Sequence, residues 1–490
     1  MESVNIKPTY EQLEAEVLRL REELANLRRL IFGQKRERFV PAANAAPQLQ
    51  MGLGGDPSVA PPKVETETIT YTRQKAAAAS KKLPSRNPIP AHLRREEVIL
   101  EPAEDVTGWK KIGADVTEEL EYQPGELYVK RYVRPKYARP DGEGVVVGVL
   151  PSRPIEKGLA GPGLIAHVLG SKFVDHLPLY RQRQQFRRQG VELSESTLCG
   201  WVESSCHLLL PLYEAQRHEL LQTSYLMADE TPIRVLDSSQ PGQCHLGYHW
   251  VYHDPLRKLA FFDYQAGRGQ DGPAEMLKNF TGHLQTDGYA AYEVITARPG
   301  VVAVGCWAHG RRYFDKAQDS DPERAMWMLS QIQQLYHLER HAREAQMSHA
   351  QRYQLRQESA PPIVASIKTW LDQQGLQVLP KSVIGKAVGY MLRQWPKLEK
   401  YLTDGRLEID NNLIENAIRP VALGRKNYLF AGSHDGARRA ALIYTLVATA
   451  KLHGVEPFAY LKDVLGRIAD HAHKRVAELL PQNWKSLSPI

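Results

Sequence analysis

Between residues 10 and 31 apolar side chains fall in alternating steps of three and four, at Tyr10, Leu13, Val17, Leu20, Leu24, Leu27 and Ile31. That spacing is the seam of a coiled coil. With Tyr10, Val17, Leu24 and Ile31 at position a and Leu13, Leu20 and Leu27 at d, a parallel pair sets Glu16 against Arg21 and Glu23 against Arg28. Both couples attract, so the pattern predicts a leucine-zipper-like dimerisation helix over 1–40 and a homodimer. The other reading is an amphipathic helix packed on its own chain. Residues 41–92 lose periodicity and collect Pro, Ala, Gly and polar residues, which predicts a flexible linker. Alternation returns over 93–154, from Glu121 through Leu127 to Val133 and again at Val145-Val146-Val147, predicting a small β-rich module.

Residues 155–222 read as helical. Ser-Glu-Ser-Thr from 194 can cap a helix carrying Leu198, Trp201 and Val202, and a helix-turn-helix-like DNA-binding domain fits this stretch. Period two dominates from about 223. Tyr225-Leu226-Met227 leads to Asp229, Gly247 to Tyr252 and Leu259 to Tyr264 give two more strands, and Asp271 to Phe280 reads as a helix before a strand ending at Asp287. Three strands, a helix and a further strand is the opening order of a ribonuclease-H-like α/β core. That core is expected in two parts, 223–317 and 396–445, separated by a polar helical insertion over 318–395 and followed by a C-terminal helical tail over 446–490.

Composition narrows the class. A 490-residue chain has room for three or four domains at roughly 100–200 residues each. Its 42% hydrophobic and 24% charged residues suit a globular protein. No apolar run approaches the roughly 20 residues of a membrane span, and the N-terminus lacks the features of a secretory signal, so a cytoplasmic, nucleoid-associated protein without a membrane partner is expected. Four scattered cysteines, Cys199, Cys206, Cys244 and Cys306, give no disulfide framework. The net charge of +7 is mild, but basic residues cluster. The clusters are Lys35-Arg36 with Arg38, Lys130-Arg131 with Arg134 and Lys136, the group Arg181, Arg183, Arg187 and Arg188, and Arg425-Lys426 with Arg438-Arg439. Each alone reads as a solvated face; together they point to a polyanion.

Three acidic residues carry the candidate chemistry: Asp229 in Met-Ala-Asp-Glu-Thr, Asp287 in Gln-Thr-Asp-Gly-Tyr, and Glu415 in Asp-Asn-Asn-Leu-Ile-Glu-Asn-Ala-Ile-Arg-Pro. Carboxylates converging from separate elements can hold two divalent cations roughly 4 Å apart for phosphoryl transfer. Two Mg2+ ions are expected, with Mn2+ as a substitute, because Mg2+ favours a sparse oxygen shell. Each residue also has a plainer reading. Asp229 could cap a turn, although strand alternation puts it on the face opposite Glu230 and beside Thr231. Asp287-Gly288 could be a simple turn. Glu415 could pair with Arg419 one helical turn away, while Asn411 and Asn412, one turn before it, could orient its carboxylate. Cys306-Trp-Ala-His309 lacks the second ligand pair of a structural zinc site, so Cys306 and His309 read as structural or DNA-positioning and zinc is not expected.

The motifs together resemble the insertion sequence 66 family of bacterial transposases over nearly the whole chain. The resemblance rests on Ala228-Asp229-Glu230-Thr231, Asp287-Gly288-Tyr289, Cys306-Trp307-Ala308-His309, and Asp410 to Pro420 continuing into Leu423-Gly424-Arg425-Lys426-Asn427. It implies a DDE-type enzyme whose acidic triad falls on Asp229, Asp287 and Glu415, in a ribonuclease-H-like domain interrupted by a helical insertion. It also implies a tail like Leu452-His453-Gly454 through Leu479-Leu480-Pro481 and Trp484. Similar proteins carry a zinc ribbon with cysteine pairs near the segments matching Glu101 to Gly113 and Pro135 to Gly144, whereas this chain has no cysteine before Cys199. The corresponding module is therefore expected to be metal-free and held by its apolar strands, or partly disordered.

The resemblance implies binding of double-stranded DNA at terminal inverted repeats, two-metal cleavage and strand transfer into target DNA, with small companion proteins as further partners. Arg181, Arg183, Arg187, Arg188, Arg425 and Lys426 are the candidate DNA contacts. Two alternatives stay open: a catalytically silent DNA-binding derivative, and a metal-dependent nuclease that cuts without joining.

Overall fold

The computed structural model describes residues 89–123, 125–140, 143–236 and 242–486. The heptad seam at 10–31, the dimer built on it and the linker up to residue 88 lie outside the described residues. The rest is a mixed α/β structure with two sheets.

The first sheet is built on a long hairpin, β2 (Lys111–Gln123) and β3 (Glu126–Ala138). β1 (Arg94–Ile99) joins the other edge of β3 in parallel, and β4 (Val145–Val147) pairs with its end. One face of this sheet is fixed to α1 (Pro162–Phe173) through Glu121. The buried Glu121 carboxylate accepts the backbone N–H of Leu164 at 3.0 Å, serving an α1 donor that has no partner inside the helix. A Cβ at Gly163 would stand 2.1 Å from that carboxylate, so this close approach requires glycine. The β-rich segment is thus ordered by Leu120, Leu127 and Val129 in the common core and by the Glu121 anchor.

α2 (Leu179–Arg188) and α3 (Glu195–Leu220) follow. Ser194 caps α3 by accepting the Thr197 N–H at 3.0 Å, as its sequence predicts.

The second sheet runs in the order β7-β6-β5-β8-β9, with β5 (Tyr225–Leu236), β6 (Cys244–Asp254), β7 (Leu259–Gln265), β8 (Gly282–Gln285) and β9 (Val301–Val304). β6 is antiparallel to both neighbours, whereas β5, β8 and β9 are parallel. Alternation along β5 splits the core: Met227, Ile233 and Val235 join one cluster, Leu226 and Ala228 the other. The smaller cluster is covered by α4 (Asp271–Met276) and α5 (Glu293–Thr296).

After β9 come α6 (Trp307–Ala317) and four helices without an intervening strand: α7 (Pro322–Glu344), α8 (His349–Ser359), α9 (Pro361–Gln377) and α10 (Val383–Leu398). The chain returns to the sheet as α11 (Asn412–Tyr428) and α12 (His434–Leu452), then ends in α13 (Pro457–Arg467) and short 3-10 turns. Two boundaries expected from sequence fall inside helices, 395/396 in α10 and 445/446 in α12. α12 closes the outer edge of the sheet. Thr445 accepts the Phe262 N–H at 2.9 Å, and Thr449 both accepts from and donates to Ala260, so helix side chains satisfy an edge strand's backbone. Among the described residues no helix is long and apolar enough to cross a membrane.

Candidate active site

β5 and β8 run in parallel with Met227 opposite Gln285, so Asp229 and Asp287 each lie two residues beyond that pair, in the middle of the sheet just past the C-terminal end of β8. Adjacent strands are about 4.8 Å apart. Asp229 faces the larger core side of β5, while Glu230 faces the opposite way, bound by Arg268 at 2.9 Å and touched by the Tyr292 hydroxyl at 3.4 Å. The Asp229 carboxyl is pushed up to about 8, first by burial and then by the negative charges of Asp287, Glu230 and Glu415 around it, against the 2.8 Å hydrogen bond it accepts from the Glu230 N–H. Three elements therefore crowd acidic charge into one half-buried place.

Asp287 sits in a tight turn. Its carboxylate accepts the Tyr289 N–H at 2.8 Å, Gly288 has φ +90°, and the Asp287 carbonyl accepts the Tyr390 hydroxyl of α10 at 2.8 Å. The turn reading of Asp-Gly is met, with the Asp287 carboxylate fixed by its Asx contact.

Glu415 enters from the first turn of α11, and its partner differs from the one its sequence suggests. Both carboxylate oxygens are held by Arg312 of α6, and Arg419 on the same helix as Glu415 is not its partner. The amides do not orient Glu415 either. Asn411 is fully buried with both side-chain polar atoms unpartnered, and the Asn412 amide donates to Asp410 at 2.8 Å. The Asn412 and Asp410 pair is fixed in turn by the Tyr336 hydroxyl at 2.7 Å. Among the described residues no three His, Cys, Asp or Glu side chains are already arranged to enclose one ion. The donor set nevertheless fits Mg2+: the donors are carboxylate oxygens, and a divalent cation would relieve both the burial and the mutual repulsion that raise Asp229.

Cys306 and His309 lock α6 to α11. The buried Cys306 sulfur accepts the Asn411 N–H at 3.3 Å and lies 3.2 Å from His309 Nδ1, while His309 Nε2 is 3.3 Å from Arg312. Burial pushes the Cys306 thiol to about 12, so it serves as a neutral hub. Behind the site, Gln285 donates to the carbonyls of Gly305 and Glu408 at 3.0 and 2.9 Å and accepts from the Tyr225 hydroxyl. Sequence reading missed Arg312, the Arg268 and Glu230 pair, and this Gln285 bridge. Only Arg312 left a signal, standing one helical turn after His309.

The basic clusters separate by partner. Arg181, Arg183, Arg187 and Arg188 lie on α2 away from buried Leu179, Gln182 and Phe186; within the group Arg187 pairs with Glu192 at 3.1 Å. Arg131 and Lys136 are engaged by Glu97 and Asp115 across the first sheet. Arg425 turns back onto β5, donating to Thr231 Oγ1 at 2.9 Å and the Pro232 carbonyl at 2.6 Å, while Lys426 is exposed. All four cysteines are free thiols.

Comparison with known proteins covers the same elements. The transposase IS66 family matches residues 157–439 and its C-terminal element residues 445–482. A segment described as transposase C of IS166 homeodomain matches 19–98, and the zinc-finger binding domain of transposase IS66 matches 107–138. Residues 107–138 contain neither cysteine nor histidine, so that segment lacks the ligands of a structural zinc. Three uncharacterized proteins of Sinorhizobium fredii (strain NBRC 101917 / NGR234) are similar along most of their length. The protein y4hP is 32% identical over 96% of this chain and 90% of its own, y4jD 32% over 97% and 96%, and y4qI 36% over 86% and 82%. With these matches spanning the sheet, the helices and the tail, the chain belongs to the IS66 family of transposases.

Proposed function

We propose that the chain is a DDE-type DNA transposase that binds the terminal inverted repeats of its element and carries out cleavage and strand transfer at Asp229, Asp287 and Glu415. The observation that carries this reading is the convergence of these three carboxylates from β5, the turn after β8, and α11, where burial first and then the neighbouring negative charges push Asp229 up to about 8. When bound, two Mg2+ ions, or Mn2+ in their place, would act as Lewis acids on the attacking and leaving oxygens of a phosphodiester. The order of the five strands supports a ribonuclease-H-like core, with α7 to α10 as its helical insertion. Arg312 balances the charge of Glu415 in the protein alone, and Glu415 turns from Arg312 to act as a ligand. Cys306 and His309 keep α6 and α11 in register for that exchange.

α2 presents its arginines to phosphates, α3 or a neighbouring helix reads base edges, and the heptad seam pairs two chains so that two DNA ends are held together. The protein works at the nucleoid, with companion proteins of the same element as further partners. The test is cleavage and strand transfer on labelled element-end DNA with Mg2+ or Mn2+, comparing the wild type with Asp229→Asn, Asp287→Asn and Glu415→Gln. Activity should fall by on the order of 10³-fold in each variant while DNA binding survives. Equal activity in wild type and variants would remove the triad, and binding without chemistry in any of them would favour a silent derivative.

A further inference from the structure

A cavity of about 350 Å3 lies between α1, α11, the start of α12 and the sheet face that carries Asp229. Its volume is at the lower end of ligand pockets, about 300–1,000 Å3, enough for one small planar molecule. Ile233 forms part of its floor, four residues from Asp229 on the same face of β5, about 13 Å along the strand. Its walls are aromatic: Tyr428 and Tyr444, joined through their hydroxyls, Phe430 at the rim, and the His249 ring. Phe430 is 39% exposed there, and the neighbouring Leu429 is 63% exposed.

Two polar features mark the cavity as more than a packing gap. His249 is only 1% exposed, yet its Nδ1 has no hydrogen-bond partner, a cost that buried polar groups seldom carry unanswered. Lys172 lies over the Tyr428 ring, 5.0 Å from its centroid, and among the described residues no ion pair neutralises it.

We propose that this cavity receives one unpaired nucleobase of the DNA handled at Asp229, stacked among Tyr428, Tyr444 and Phe430, with an edge atom meeting His249 Nδ1 and its phosphate near Lys172. Aromatic walls suit any base face, a buried imidazole nitrogen suits a base edge, and the Lys172 amine over the Tyr428 ring can donate to a phosphate oxygen. This inference rests on the DNA-acting reading above.

The test uses the full chain and three duplexes: one with a single bulged 2-aminopurine, one with an abasic nucleotide at the same bulge, and one fully paired. The base-bearing bulge should bind about tenfold tighter than the abasic bulge, with the 2-aminopurine emission quenched on binding. Gly436→Leu and Gly432→Leu narrow the mouth. An added Cβ at Gly432 meets nothing within 4 Å, so that variant leaves the core intact. In both, the ratio of affinities for the base-bearing and abasic bulges should collapse toward one. Equal binding of the two bulges by wild type, or an unchanged ratio in both variants, overturns the pocket. A chain that binds and cuts paired element-end DNA without telling base from abasic loses only this inference; one that binds none of the duplexes loses the DNA-acting reading as well.

Discussion

Asp229 and Glu230 are neighbours in sequence with opposite surroundings, and the two-residue period of a strand separates them. Asp229 joins the acidic cluster, whereas Glu230 is held by Arg268 on the far side of the sheet. That the two face opposite ways was legible in the sequence, whereas the Arg268 partner was not. Arg312 was not, because its meeting with Glu415 joins residues 103 apart through the packing of α6 on α11. Arg312→Gln removes a cation competing for Glu415, so Mn2+ should bind about three- to tenfold tighter, the scale of a half-exposed ion pair worth about 1 kcal/mol. Electron paramagnetic resonance of free Mn2+ reads this directly, and unchanged or weaker affinity would make Arg312 a positioning group instead. His249 gives a pH signature. Burial pushes it down to about 4 from an ordinary 6.5, so the unfolded chain takes up its proton first. Its contribution to stability is fully present above about pH 6.5 and is lost progressively as the pH falls toward 4. Thermal melting across that window should flatten in His249→Phe.

At the level of elements, α3 shows how local chemistry reads through: its Ser194 cap was visible as Ser-Glu-Ser-Thr and is made as expected. The end of the helical segment before α11 was less legible, since apolar periodicity runs through α10 and α12 where sequence suggested boundaries. Nor did local pattern show what holds the chain between α10 and α11. Arg356, 1% exposed, donates to the carbonyls of Tyr401, Asp404 and Leu407 and pairs with Glu339, while Arg352 reaches Glu408. Helices far along the chain thus set the segment that delivers Glu415. Arg356→Ala leaves Glu339 buried with a missing partner and should cost about 3–5 kcal/mol in denaturant unfolding. In the first sheet, Gly163→Ala drives a methyl into the Glu121 carboxylate and should cost about 1–3 kcal/mol. A chelator should leave the melting of the metal-free protein unchanged, because apolar strands and the Glu121 anchor, without thiolates, tie this sheet to α1.

Across the whole molecule, charge that looks uniform in sequence is divided by the fold. In the group on β3, Arg131 and Lys136 are answered by carboxylates, and Arg425 is committed to β5, which leaves α2 as the strongest exposed basic face described. Replacing Arg181, Arg183, Arg187 and Arg188 by Ala should weaken duplex binding across sequences and lower the salt slope by about 0.9 for each phosphate that is no longer neutralised. An unchanged slope in filter binding would move the interface elsewhere. The central claim is that Asp229, Asp287 and Glu415 hold the divalent ions that meet the scissile phosphodiester. Its most direct measurement is cleavage of element-end DNA in which sulfur replaces the leaving 3′ oxygen, with Mg2+ against the more thiophilic Mn2+. Little cleavage is expected with Mg2+, restoration with Mn2+, and no cleavage by Asp229→Asn with either ion. Equal cleavage of the sulfur and oxygen substrates in Mg2+, or restoration that survives Asp229→Asn, would contradict it.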